Sequence, residues 1–424
     1  MMTFLLKGIF RDRGRSLFPF VVVATGVFLS VALYCYIQGV MVDVVRSNAN
    51  LRDGHVKVLT RAYAKEADQV PNDAALTGAG ALIADLARTN PDFLWVPRIE
   101  FGGLIDIPDA RGETRTQAPV AGFGADLLTA GSPETGLLNL ANILTAGHLP
   151  ARAGEMLVSA DLAERLQVKP GDAATLIGTT MHGAMSMANF AIAGTVRFGI
   201  PALDRMGLIA DIADVRKALD MEDAAGQVLG LARDGLYRPE RDAAVAAAFA
   251  RRSGEAPDDF QPVMQTLRDQ PGMAMMFDRM RDVINIILGV FLLAMSLIMW
   301  NAGLVGTLRR YGEFGVRLAL GEDKGHVYRS MIAESLMIAL LGSVAGTVIG
   351  LALSYYLQAV GINLAGILKN VSFLMPTVIR TRVTAPAYVV GFIPGLLATL
   401  IGTGIAGRGI YRRQTAQLFK ELET

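Results

Sequence analysis

Four stretches of the chain contain no Asp, Glu, Lys or Arg: 17–42, 283–308, 335–368 and 383–407. A helix crosses the hydrocarbon core of a bilayer with about 20 mostly apolar residues. The pattern therefore predicts membrane helices over 17–42, 283–308, 335–358 and 383–407. The first stands alone, and the other three crowd the last third of the chain. Between them lie 240 residues, 43–282, with ordinary charge and turn content. A fifth charge-free stretch, 173–196, carries four Thr, three Gly, His182, Ser186 and Asn189. Those polar groups would go unpaired in lipid, so the stretch reads as strands and a loop of a water-soluble domain.

Within the insert the period changes. Residues 154–159 read as a strand, 163–166 as a short helix, 169–172 (Lys-Pro-Gly-Asp) as a turn and 173–177 as a second strand. Alternation of Phe190, Ile192, Gly194 and Val196 predicts a strand over 189–198, while 214–219 and the Ala-rich 241–251 read as helices. The fold class is an α-helical membrane protein with four transmembrane helices in a one-plus-three layout. A large α+β extracytoplasmic domain, expected to have two lobes, is inserted between helices 1 and 2.

Composition agrees: 52% of residues are hydrophobic, and the net charge of +1 gives no sign of nucleic-acid binding. The single cysteine, Cys35, lies in the first apolar stretch, so no intrachain disulfide is possible. That stretch is too long for a signal peptide and lacks a clear cleavage site, so it reads as a retained anchor. Lys and Arg set the orientation. Segment 1–16 has Lys7, Arg11, Arg13 and Arg15, segment 309–334 has Arg309, Arg310, Arg317, Lys324 and Arg329, and segment 408–424 has Arg408, Arg412, Arg413 and Lys420. These three share one side, which the positive-inside bias makes the cytoplasm. The insert 43–282 and the short loop 359–382 are then outside, although Lys369, Arg380 and Arg382 weaken the asymmetry. Segment 1–16 reads either as a basic amphipathic helix along the inner membrane surface or as an unstructured basic flank. Ser16 is a candidate cap for the first helix, with Pro19 in its first turn.

Gly342, Gly346 and Gly350 fall every four residues on one face of the third span, and Gly391 and Gly395 repeat the device near the fourth. Small residues so spaced let helices approach closely, within one chain or between two copies. No Asp, Glu or Lys sits mid-membrane, which argues against a proton relay or ion-coupled carrier. Asn285 and Asn301 in span two read as interhelical hydrogen-bonding groups.

The loop after span two reads Arg309-Arg310-Tyr311-Gly312-Glu313-Phe314-Gly315-Val316-Arg317-Leu318-Ala319-Leu320-Gly321, and Glu334 opens the next helix. Glu313 and Arg317 have the favourable i, i+4 order, Val316 and Leu320 share a face with Phe314 and Leu318 nearby, and Gly321 is placed to end the helix. A short amphipathic helix is thus predicted, suited to a groove on a cytoplasmic partner.

Arg310, Glu313, Phe314, Gly315, Arg317, Ala319, Leu320, Gly321 and Glu334 match the pattern that follows the second span of FtsX-like permeases, which the segment closely resembles. The elements at 147–159 and 163–172 resemble the periplasmic core domain of MacB-type and lipoprotein-releasing (Lol-type) permeases. The size of the insert and a chain that begins directly at the membrane are most similar to the Lol type. The resemblance implies the non-catalytic membrane subunit of an ABC transporter in the inner membrane. Its coupling helix would comprise Arg310, Glu313, Phe314, Gly315, Arg317, Leu320 and Gly321. It further implies two copies of an ABC ATPase that bind ATP and Mg, a second copy of this chain or a paralogous permease, and a lipoprotein cargo with a periplasmic acceptor. Efflux of a hydrophobic small molecule or peptide, and non-transporting regulation of envelope enzymes, are the alternatives. The sequence contains no Walker A pattern, so the ATPase is expected to be a separate subunit, with no cofactor bound by this chain.

No catalytic constellation is visible. His55, His148, His182 and His326 are scattered, without H-E-x-x-H or G-x-S-x-G. Met181, His182, Met185 and Met187 form either a soft-metal candidate or a flexible apolar loop, the latter favoured, so no metal is expected. Met273, Met275, Met276 and Met280 precede span two, either near an acyl-chain route or as ordinary stalk packing.

Overall fold

Hydrophobic length rather than turn chemistry sets the longest elements, and all four apolar stretches become helices. The computed structural model describes residues 13–109, 111–254, 258–363 and 378–412. Segment 1–16 therefore lies mostly outside the described residues, as do Lys369, Arg413 and Lys420. The chain divides into two units. One holds the membrane helices (residues up to 41, 278–363 and 378 onward), the other residues 42–277.

In the membrane unit, helix α1 is Arg13–Asn48, and its end belongs to the second unit. The start corrects one expectation: Ser16 is already inside the helix, and Pro19 is internal rather than in the first turn. Its ring packs near Gly306, where an added Cβ would stand 3.1 Å from Pro19 Cγ. Two of the other long helices begin ahead of their charge-free cores, at Met273 and Lys324, because charged residues before the apolar stretch continue the hydrogen-bonded backbone. The last span differs. Residues 383–391 lie outside its long helix, with a 3-10 turn at Ala385–Tyr388 that carries Pro386 in its first turn. This stretch is tied down by its backbone: Arg382 N–H donates to the Cys35 carbonyl (2.8 Å), and Val383 N–H to Gln358 Oε1 (3.0 Å).

The second unit is α+β with two lobes sharing one long strand. Its main strands are β1 (Val56–Thr60), β2 (Phe93–Pro108), β3 (Thr114–Ala125), β4 (Leu144–Gly147), β5 (Glu155–Ser159), β6 (Ala173–Thr179), β7 (Met185–Val196), β8 (Gly207–Asp211), β9 (Gln227–Ala232) and β10 (Pro262–Thr266). Four of them, in the order β10-β1-β9-β2, form an antiparallel sheet. Helices α2 (Ala79–Thr89) and α5 (Pro239–Ser253) connect β1 to β2 and β9 to β10. This is a split β-α-β arrangement. Its core holds Val56, Val58, Leu86, Trp95, Val228 and Phe249.

The second lobe is inserted between β2 and β9. Pairing runs β2-β3-β8-β5-β7-β6 and back to β2, so six strands close into a barrel, with β4 as a flap on β7. Closure leaves these strands no free edge for aggregation. The inside is filled by Ile99, Ile105, Val120, Met156, Leu176 and Ile192. Helices α3 (Ala160–Leu166) and α4 (Ile212–Leu219) contribute Leu162, Val215 and Leu219 to the same core. Strands β5 and β8 are buried along their whole length, because Leu157 and Ile209 face a separate cluster with Phe123, Val196 and Phe198. Where the lobes meet, Arg98 is buried and ion-paired with Glu134 through both guanidinium nitrogens, and stacks over Phe123 at 5.4 Å.

Candidate functional site

The short helix predicted after span two exists and has a defined seat. Three elements build it: α6 (Met273–Leu308), α7 (Tyr311–Ala319) and α8 (Lys324–Val360). The turn between α7 and α8 follows from local chemistry. Gly321 takes φ +91°, a conformation that suits glycine and stops the helix. Two residues later the Asp323 carboxylate accepts from Gly325 N–H (2.8 Å) and His326 N–H (3.3 Å), which starts α8.

The helix α7 has two apolar faces rather than the single one read from the sequence. Tyr311, Phe314 and Leu318 turn inward onto Val327, Tyr328, Met331 and Ile332 of α8. Phe314 is only 2% exposed. The Tyr311 hydroxyl donates to the carbonyl of Ala406 on α9 (Phe392–Arg412), which holds the helix to a second membrane span. Val316 and Leu320 turn outward, at 46% and 84% exposed, with Ala319 beside them. Phe314 and Leu318 thus leave the expected docking face and form its foundation. Gly315 is buried with them.

Arg310 is the electrostatic pin. Its Nη1 lies 2.6 Å from Glu334 Oε1 on α8, its Nε lies 3.5 Å from Glu313 Oε2, and the guanidinium sits 5.9 Å from the Phe314 ring centre. Both partners of the Arg310–Glu334 pair are largely buried, at 22% and 15% side-chain exposure. The two charged residues are far apart in sequence, so their pairing was not readable from spacing alone.

The five glycines sit where helices meet within one chain. A Cβ on Gly342 would stand 3.0 Å from Val23 Cγ1, on Gly346 2.9 Å from Val27 Cβ, and on Gly350 2.9 Å from Val31 Cβ. All three therefore receive α1. Gly391 and Gly395 meet Val27 from the other side, at 2.9 Å from its carbonyl oxygen and 2.6 Å from its Cγ2. The glycine face of α8 is thus occupied by α1 of the same chain, the first of the two alternatives the spacing allowed.

Met273, Met275, Met276 and Met280 lie in the first turns of α6. Met275 is exposed and the others half-buried. Phe277 stacks on Tyr237 with ring centres 5.6 Å apart. Met185 and Met187 stand exposed on β7, and His182 Nε2 lies 3.8 Å from Asp220 Oδ2. Among the described residues no three His, Cys, Asp or Glu side chains converge as metal ligands.

Four helices long and apolar enough to cross a membrane, a short helix pinned between two of them and a large α+β insert after the first make up a one-plus-three layout. Residues 285–415 match the FtsX-like permease C-terminal family. The macrolide export ATP-binding/permease protein MacB of Hyphomonas neptunium (strain ATCC 15444) is 28% identical over 130 residues, which is 30% of this chain and 19% of that protein. The match thus spans about a fifth of the relative's length. The periplasmic region of MacB from Actinobacillus actinomycetemcomitans aligns over 54% of this chain and 96% of its own, at 10% identity and a TM-score of 0.35.

Proposed function

We propose that this chain is the membrane subunit of an ABC transporter and passes ATP-driven motion of a separate ATPase to its external domain. One observation carries the reading: α7 is anchored inward by Tyr311, Phe314 and the Arg310–Glu334 pair, yet leaves Val316, Ala319 and Leu320 uncovered. A rigidly seated helix with a free apolar face is suited to receive a push and hand it on. The expected ATPase binds ATP and Mg in two copies and works with two permease chains, identical or paralogous. Force then enters at α7 and travels along α1 and α6, whose residues continue from the membrane unit into the second unit. The basic flanks support a cytoplasmic position for α7 and both termini, and a periplasmic one for the insert, in an inner membrane.

The cargo in this reading is an acylated lipoprotein. A hydrophobic small molecule is the second reading, favoured by the macrolide export for which the Hyphomonas relative is named. The first test is co-purification. The detergent-solubilised chain, expressed with its whole operon, should retain an ATPase in roughly equal amount. A preparation that never retains one would refute the assignment.

A further inference from the structure

Of the four apolar helices, α6 is the least covered by its own chain. Its apolar core is 6% buried, against 33–39% for the other three. The uncovered residues include one continuous stripe. Val283, Ile287, Val290, Ala294, Leu297 and Asn301 follow one another at alternating steps of four and three residues, and all are exposed. The same steps run on to Leu308. This is the heptad spacing of a two-stranded coiled coil, with Ile287, Ala294 and Asn301 at a and Val283, Val290 and Leu297 at d. Met299 and Ala302, which α6 buries in its own bundle, lie off the stripe.

Apolar spacing alone carries little in a membrane span, because lipid tails are as apolar as leucine. Asn301 carries more. It is the one polar side chain on the stripe, and it makes no hydrogen bond among the described residues. It also sits deep. Eight residues separate it from Arg309, about 12 Å at the helical rise of 1.5 Å per residue. Asn285, by contrast, lies three residues past Asp282, at the edge of the span where water reaches it. A carboxamide left unpaired in hydrocarbon is costly, and lipid tails offer it no partner.

A second copy of the chain does. Two copies in one membrane share an orientation, so a two-fold axis relating them runs along the membrane normal. Each residue near that axis then meets its own counterpart at the same depth. A carboxamide both donates and accepts, so Asn301 and the same residue of the second copy satisfy each other by N–H···O bonds. A lone Asn at an a position also fixes register and oligomer state.

We infer that the outward stripe of α6 is an interface between two copies of this chain, parallel and in register, with Asn301 paired across the two-fold axis. The inference rests on the reading that two permease chains work together, and narrows it to identical chains and one helix face.

The test uses the full chain, expressed with its whole operon, in native membranes. In a Cys35→Ala background, Leu297→Cys at a d position should give a disulfide-linked dimer on oxidation. Val344→Cys, exposed on α8 at a comparable depth, ten residues past Glu334, should give none. Copies carrying donor and acceptor fluorescent tags report pairing independently, by energy transfer. In maltoside micelles their dimer Kd should rise about three- to thirtyfold in Asn301→Leu and stay unchanged in Asn285→Leu. Energy transfer without the Leu297→Cys adduct, equal adducts at both cysteines, or an unchanged Kd in Asn301→Leu would overturn the assignment and leave the two-chain reading standing. Absence of energy transfer in wild-type membranes would overturn it as well, and would leave the two-chain reading only a paralogous partner.

Discussion

Two side chains show how single residues decide the character of each unit. In the membrane unit Arg310 is the only link that joins α7 to Glu334 by charge among the described pairs, and charge-assisted hydrogen bonds of this kind are stronger than neutral ones. In the external unit His55 is 1% exposed, and its Nδ1 accepts from Ala232 N–H at 3.2 Å. Burial holds its pKa down at about 4, from an ordinary 6.5, with Arg241 adding to the shift. Between those values the unfolded chain takes up a proton that the folded one refuses. Stability therefore falls as pH drops from 6.5 towards 4, by about 3 kcal/mol at the foot of the window. Burial raises the carboxyl pKa of Asp53 and Asp242, which works in the opposite direction. The clean readout is thus a difference. Thermal unfolding of the full chain followed by circular dichroism should fall less steeply over that window in His55→Asn, whose side-chain oxygen can still accept from Ala232. Parallel curves for the two proteins would mean the imidazole does not control the slope.

At the scale of elements, the small-residue face of α8 is the part whose geometry is most exacting. Gly346 leaves no room for a side chain between α8 and Val27 of α1. Gly346→Ala should lower the detergent melting temperature through overpacking of about 1–3 kcal/mol, even though alanine is favoured over glycine in a helix by about 1 kcal/mol. Gly289→Ala is the matching control, since nothing lies within 4 Å of the added carbon, and it should be neutral or mildly stabilising. Equal behaviour of the two variants would show that α1 does not depend on that approach. The glycine spacing was legible in the sequence because helical period alone puts every fourth residue on one face. The docking face of α7 was only half legible. The nine residues of α7 and its cap Leu320, with large apolar side chains at Tyr311, Phe314, Val316, Leu318 and Leu320, fit several faces, and only the position of α8 decides that Phe314 goes in while Leu320 stays out.

For the whole molecule, the layout was readable because lipid imposes a length and a charge ban that few soluble segments meet by accident. The local strands at Glu155–Ser159, Ala173–Thr179 and Met185–Val196 were legible from turns and alternation. Their closure into a barrel was not, since β2 pairs with β6 and β3 with β8 across long stretches of chain that no local pattern encodes. The long helices depart from the charge-free stretches 17–42 and 383–407 for a simpler reason: Pro19 is tolerated inside α1, while residues 383–391 satisfy their backbone without joining α9.

The coupling claim can be tested where it is most exposed. Cys35 is buried and is the chain's single cysteine, so a Cys35→Ala background allows one thiol to be placed at will. With the operon's ATPase co-expressed in native membranes, Leu320→Cys should give a short-reach cross-link to that ATPase, and Leu104→Cys on the barrel of the external unit should give none. Absence of an adduct at Leu320, or equal adducts at both positions, would contradict the account.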